Sequence, residues 1–406
     1  MKNLDAYYKK VADDFGTQTA DAAKELFSLY TDGIYKWLAG LWDGEVGGFY
    51  YSNSARDNEG FFPDIESTSQ AFGSLMTDGI VPSMQAYPEA MKKKAVAFIT
   101  GCQDKDDGYF YHKQWKELML ADPMRYTSRR ARDMNKGMSI VKAFGGEAKY
   151  PIATERISAA TKGEAQNVSV TIPEHLKNKE VFVEYLESLE INKNSYSVGH
   201  RLGAQVSQIR AAGLDGILYD FLNSTQKSNG LWEDELNYGS SNGLMKISCA
   251  YRSLRRPIPN IEKGFDAAIE IALSAADMYQ GITCVYNPPF TMLNLFETMK
   301  DLGMNNEHDA SKRRLREKAA ELLIRTKEKV ATFSEPDGSF SYCVGYPAPH
   351  SQGMKVCVPH LPESDVNANA LAQGARTMML KAIGLDSTPI FDENDSKIFF
   401  EICGEK

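Results

Sequence analysis

Long apolar runs are missing from this chain. None of its 406 residues belongs to a stretch approaching the roughly 18 apolar positions that a membrane-spanning helix needs. A basic excess is missing too. The net charge of −8 argues against nucleic acid as the main partner, while leaving room for an anionic substrate at local arginine clusters. The six cysteines, Cys102, Cys249, Cys284, Cys343, Cys357 and Cys403, are too scattered for a disulfide framework. No phosphate-binding glycine loop, Ser-centred nucleophile elbow or dinucleotide fingerprint is present. Strand signals are few, and the Val168–Ile172 alternation is the best of them. The first ten residues are too polar for a secretory signal, so a cytoplasmic protein is expected.

What is present is a recurring turn. Gly47-Gly48-Phe49, Asp107-Gly108-Tyr109-Phe110, Gly230-Leu231-Trp232 and Asp337-Gly338-Ser339-Phe340 share one look, and Gln103 and Gln226 lead two of them. Recurring turns of one type signal a repeat architecture. Glycine permits the tight turn, and Trp42, Phe49, Phe110, Trp232 and Phe340 read as plugs between neighbouring helix pairs rather than as substrate contacts.

Apolar spacing and helix start signals place six helix pairs around these turns. They join 19–41 to a helix from Asp64, 88–101 to 128–144, and 178–190 to 195–213. The remaining three join 214–225 to 240–254, 260–279 to 288–302, and 309–332 to 364–383. Second members start near 64, 130, 196, 241, 288 and 365. The expected fold is therefore all-α, an (α/α)6 toroid with six inner helices beginning at one end of a central pocket. It is read as one domain over 1–406, with an irregular insert at about 145–177 and a proline-rich, lid-like loop at about 341–363.

The Gln-led Gly-x-aromatic turns resemble the QW-type repeats of the terpenoid cyclase and protein prenyltransferase superfamily. Asp64-Ile65-Glu66-Ser67-Thr68-Ser69-Gln70-Ala71 is similar to the Asp-x-Asp-Asp-Thr-Ala motif of triterpene cyclases, and Asp365-Val366-Asn367-Ala368-Asn369-Ala370 repeats its shape. The resemblance covers most of 19–383. It implies the toroid fold and sets Glu66 at the position of the cyclase acid, with Ser67 in place of the next Asp.

Four groups of residues carry chemistry. Asp64 and Glu66, near Arg56 and Asp57, are acids at a helix start, and capping is their structural alternative. Tyr196 and His200 share one face of the third inner helix and form a candidate acid and base pair. Polysaccharide lyases with α/α barrels use such a pair beside a uronate carboxylate, which Asn194, Arg201, Asn242 or Asn287 would neutralise here. A hydrogen-bonded histidine between helices is the alternative. Arg125, Arg129, Arg130, Arg132 and Lys136 form a basic run suited to carboxylate, sulfate or phosphate, or else a solvated loop. Cys343, His350, Cys357 and His360 are zinc-ligand types, but their spacing matches no common zinc pattern and no cofactor is required.

Polar residues gather at the inner-helix starts: Asp64, Glu66, Arg129, Arg130, Tyr196, His200, Arg201, Asn242, Lys246, Asn287, Asp365 and Asn367. That pattern suits a sugar better than a hydrocarbon. The expectation is a carbohydrate-active lyase or hydrolase acting on an acidic, uronate-containing oligosaccharide. Elimination would use Tyr196 and His200, and hydrolysis would use Asp64 or Glu66 with Asp365. An isoprenoid enzyme and a non-catalytic toroid that binds a protein or glycan are the alternatives.

Overall fold

The structure is a computed structural model that describes residues 1–164, 172–275 and 281–405. It is mostly helical. Among the described residues the strands form two short antiparallel pairs: β1 (Trp42–Asp43) with β2 (Gly48–Phe49), and β3 (His350–Ser351) with β4 (Met354–Lys355). No helix among the described residues is long and apolar enough to cross a membrane.

Six helices match the expected second members of the helix pairs: α1 (Ile65–Asp78), α2 (Thr127–Ala143), α3 (Ser195–Ala211), α4 (Tyr238–Leu254), α5 (Thr283–Asp301) and α6 (Val366–Ile383). Side-chain caps set four of these starts. Asp64 accepts from the N–H groups of Glu66 and Ser67, Asn194 from Ser197, Asn237 from Ser240, and Asp365 from Ala368. Each of the six packs on the next in chain order, and α6 packs back on α1. Other helices pack against them. Glu89–Gly101 packs on α2, Ala153–Thr161 on α3, Asp215–Thr225 on α3 and α4, Ile261–Leu273 on α5, and Ala319–Ala331 on α6.

The recurring turns explain this order. Gly47, Gly108, Gly230 and Gly338 all have positive φ, between 76° and 88°. A Cβ would also lie 2.4 Å from Lys94 O at Gly47, 2.4 Å from Pro151 O at Gly108, 2.5 Å from Gly264 N at Gly230, and 2.2 Å from Thr31 Oγ1 at Gly338. Each of the first three turns therefore abuts a segment that follows it in the chain, and the last abuts the segment between Thr17–Phe27 and Gly33–Ala39. The leading glutamines add a polar grip. Gln103 donates to Tyr150 O (2.8 Å) and accepts from Tyr150 N–H (3.0 Å), just before Ala153–Thr161. Gln226 accepts from Asn260 (3.4 Å), which precedes Ile261–Leu273. Phe49, Phe110, Trp232 and Phe340 have no exposed surface, as expected of plugs. On the inner side, Thr68 accepts from Phe49 N–H (2.9 Å) and Asn369 accepts from Phe340 N–H (3.2 Å).

Several boundaries differ from expectation. The outer helix expected at 19–41 is two helices, Thr17–Phe27 and Gly33–Ala39. The break admits the Gly338 turn, since a Cβ on Gly33 would overlap Asp337 O. The helix expected at 309–332 divides into Asn305–Glu317 and Ala319–Ala331. The helix expected at 260–279 ends at Leu273, and 276–280 lie outside the described residues. Helix α5 starts at Thr283 rather than at Pro288, and both prolines lie inside it. Burial of Cys284, Val285, Pro288 and Pro289 overrides the usual preference of proline for a helix start. The insert 145–177 holds a helix, Ala153–Thr161, and the strand expected at 168–172 falls, except for Ile172, outside the described residues.

Replacing Gly230 by Ala is expected to destabilise the protein by more than about 2 kcal/mol, from left-handed backbone and from overlap with Gly264. Gly216→Ala, at a helical position where a Cβ would meet nothing within 4 Å, should be neutral or stabilising by up to about 1 kcal/mol. Urea unfolding of both variants checks the contrast.

Candidate functional site: a cationic cavity beside a buried charge network

The starts of α1 and α2 are locked together by charge. Arg129 has no exposed surface and reaches three carboxylates: Asp64 at 3.3 Å, Glu66 at 3.2 Å and Asp133 at 2.8 Å. Its guanidinium also lies 4.5 Å from the centre of the Trp115 ring. Glu66 accepts from Arg129, from Arg132 Nε (2.5 Å) and from the Ser351 hydroxyl (3.2 Å). The β3–β4 hairpin, in the loop expected to be lid-like, thus closes onto the network through Ser351. Burial would raise the Glu66 carboxyl, but Arg132 and Arg129 overrule it and hold the group at about 2. Burial pushes Asp133 up to about 7 against the pull of Arg129, and its Oδ1 has no hydrogen-bond partner.

Arg132 links this network to a cavity of about 380 Å³ between α2, α3 and α4. The lining includes Arg132 and Lys136 from α2, His200 from α3, and Lys246 and Cys249 from α4. Among the described residues neither Lys136 nor Lys246 has a carboxylate within ion-pair distance, and the single acid that acts on this wall, Glu66, is already held by two arginines. Burial and then Arg132 lower Lys246 to about 8. Burial, Lys246 and Arg132 lower His200 to about 3, so its ring is neutral near pH 7. The Tyr196 ring stacks beside His200 (centroids 6.4 Å, interplanar angle 21°), and Lys246 Nζ sits 5.6 Å from its centre. Tyr196 is 43% exposed, so its phenol is open to a ligand although surrounding protein raises its pKa. From α5, Tyr286 senses Arg132 and Cys249 and stacks on Phe290 (5.4 Å).

The structure thus keeps Tyr196 and His200 together on one face of α3, as their spacing suggests, and brings Lys246 of α4 beside them. Other sequence candidates do structural work. Asp64 and Asp365 are buried helix caps; Asp365 also accepts from Tyr342 N–H (2.9 Å), and burial pushes it up to about 7. Arg56 is exposed and held by Asp57 (2.7 Å) and Gly40 O (2.9 Å). Arg130 pairs with Asp107 (3.4 Å) and covers the Tyr109 ring (4.1 Å), which pins a turn rather than lining the cavity. Arg201 is exposed, and its charge acts on His175 and Tyr185 as well as on His200. Asn287 donates to Asn242 (2.9 Å), tying α5 to α4, and Gln70 donates to Asn367 (2.7 Å), tying α1 to α6.

No disulfide joins the six cysteines, and among the described residues no three His, Cys, Asp or Glu side chains converge to hold a metal ion. Cys343, His350, Cys357 and His360 are accordingly not gathered into a zinc site. Cys357 instead points its thiol at Ala348 O (3.7 Å), and the His360 ring lies beside Tyr346 (6.4 Å). Arg132 and Lys136 are the members of the basic run that line the cavity. Their spacing from Arg129, three and seven residues, is the helical signal that identifies them. Nothing in the sequence announced Ser351, which reaches Glu66 from 285 positions away. No protein-family model, curated protein or solved structure matches the chain.

Glu66→Gln is expected to cost about 3–5 kcal/mol near neutral pH, because Arg129 and Arg132 lose their shared counter-charge in a buried site. Glu66 is depressed in the fold, so its contribution is complete above the ordinary carboxylate range and disappears as the pH falls towards about 2. The gap between variant and wild type should therefore shrink between about pH 4 and pH 2, measured by urea unfolding across that range.

Proposed function

We propose that the chain is an (α/α)6 toroid enzyme that binds a uronate-containing oligosaccharide in the α2–α3–α4 cavity and cleaves it by β-elimination. The toroid reading is supported by the order in which α1 to α6 pack and by the return of the Gly338 turn onto Thr31. It keeps the resemblance to the terpenoid cyclase and prenyltransferase superfamily at the level of architecture. The observation that carries the function is the grouping of His200 with Arg132, Lys136 and Lys246 around one cavity, with the Tyr196 ring beside His200 and Lys246.

In this reading Arg132 and Lys246 neutralise the uronate carboxylate, which acidifies the hydrogen on the adjacent carbon. Neutral His200 removes that proton. The electron pair forms the carbon–carbon double bond as the glycosidic C–O bond breaks, and the Tyr196 hydroxyl gives its proton to the leaving oxygen. A bound carboxylate also offsets the cations that depress His200, and so raises its basicity when substrate is present. Hydrolysis by a carboxylate pair is less well supported, because Asp64, Glu66 and Asp365 are buried and committed to caps or arginines. Glu66, held ionised to about pH 2, is also unsuited to protonating an isoprenoid. One observation favours an isoprenoid diphosphate as the second reading: the Tyr286–Phe290 stack offers an aromatic surface beside the cations. Unbridged cysteines fit action in the cytoplasm.

The test is ultraviolet absorbance of the unsaturated product over a panel of uronate oligosaccharides. Wild type should produce a rise, and His200→Ala and Tyr196→Phe should each lower kcat by about 10²–10⁴-fold. Reducing ends appearing without absorbance would overturn elimination in favour of hydrolysis. Inactivity in both readouts, with tight binding of isoprenoid diphosphates or of intact glycans, would replace the reading with the diphosphate enzyme or with a binding module.

A further inference from the structure

Lys246 occupies an unusual position for a lysine. It lines the cavity wall from the middle of α4, and no acid among the described residues lies within ion-pair distance of it. Its strongest charged neighbour is Arg132, another cation, and Lys136 lies on the same wall. Two glycines of α3 make room for it: a Cβ at Gly199 would lie 2.9 Å from Lys246 Cβ, and one at Gly203 would lie 3.3 Å from Lys246 O. The helices therefore meet closely enough to fix the stem of the side chain. Such surroundings favour the neutral amine over the ammonium, and burial lowers Lys246 to about 8. A desolvated amine next to another cation is the arrangement that activates lysine towards carbonyl carbon.

We infer that Lys246 is a nucleophile that forms an imine with a small 2-oxo acid held in the α2–α3–α4 cavity. The 2-oxo acid is selected by chemistry already on this wall. Arg132 and Lys136 receive the carboxylate, and the adjacent ketone carbon is presented to Nζ. The lone pair of Nζ forms the C–N bond; the carbonyl oxygen leaves as water with the two amine hydrogens, and C=N remains. His200, neutral and most strongly influenced by Lys246 among its charged neighbours, is placed to accept the proton released during attack. A cavity of about 380 Å³ suits a ligand of this size. The inference shares the cavity of the elimination reading but not its chemistry, in which Lys246 acts only as a charge.

The full chain would be incubated near neutral pH with pyruvate and cyanoborohydride, which reduces an imine to a stable secondary amine, and modified lysines would be mapped by peptide mass. The expected result is labelling at Lys246 at least about tenfold faster than at exposed lysines such as Lys105, which is 71% exposed. That label should be absent from Lys246→Arg, and acetone, lacking the carboxylate, should label Lys246 more slowly than pyruvate. Labelling spread evenly over exposed lysines, or sparing Lys246, would overturn the proposal. Equal labelling by acetone would overturn its carboxylate selectivity. The ultraviolet assay separates the two readings: labelling without an absorbance rise rejects elimination alone, and a rise without labelling rejects the imine alone.

Discussion

Arg129 sits in the interior with three carboxylates around it, Asp64, Glu66 and Asp133, and an indole face against its guanidinium. A charge buried this deeply is tolerated only where partners surround it, and each partner here belongs to a helix start or helix face that must then stay in place. Asp64 caps α1, and Asp133 lies one turn along α2 from Arg129. Glu66 passes the constraint onward by holding Arg132 at the cavity wall and taking the Ser351 hydroxyl from the β3–β4 hairpin. One arginine thus couples two helices, a distant loop and the cavity.

The second organising feature is steric. In each recurring turn a glycine with positive φ brings its backbone against another segment of the chain at a distance that no Cβ would permit. Glutamine side chains at two of the turns add hydrogen bonds across the same joint, and the buried aromatic fills the space behind it. Because the last turn meets Thr31 and Gly33, the two ends of the helix series are joined by the same kind of contact that joins its middle members.

The cavity derives its character from an imbalance. Arg132, paired with Glu66, lines it beside Lys136 and Lys246, which among the described residues have no carboxylate within ion-pair distance. The imbalance lowers His200 and Lys246 together, leaving a neutral imidazole and a partly neutral amine among fixed positive charge. An anion entering such a site gains Coulombic attraction and also changes the basicity of the groups that would act on it. Elimination beside a uronate carboxylate and imine formation with a 2-oxo acid both draw on that property.

Much of the architecture was legible in local sequence. Asp64 announced a helix start through its capping chemistry, and Gly-x-aromatic turns announced a repeat. Helical spacing put Tyr196 and His200 on one face. The misses have a common cause. Pro288 reads locally as a helix start, yet burial of the preceding turn extends α5 back to Thr283. Arg129 and Arg130 are neighbours in the chain, but one faces the carboxylates and the other a turn, because adjacent helical positions point about 100° apart. The sequence alone determined where the helices of the recurring turns lie, since that depends on contacts within a few residues. Only the tertiary structure decided which charges are consumed in pairs and which remain facing the cavity, because burial and ion pairing depend on side chains brought together from distant parts of the chain.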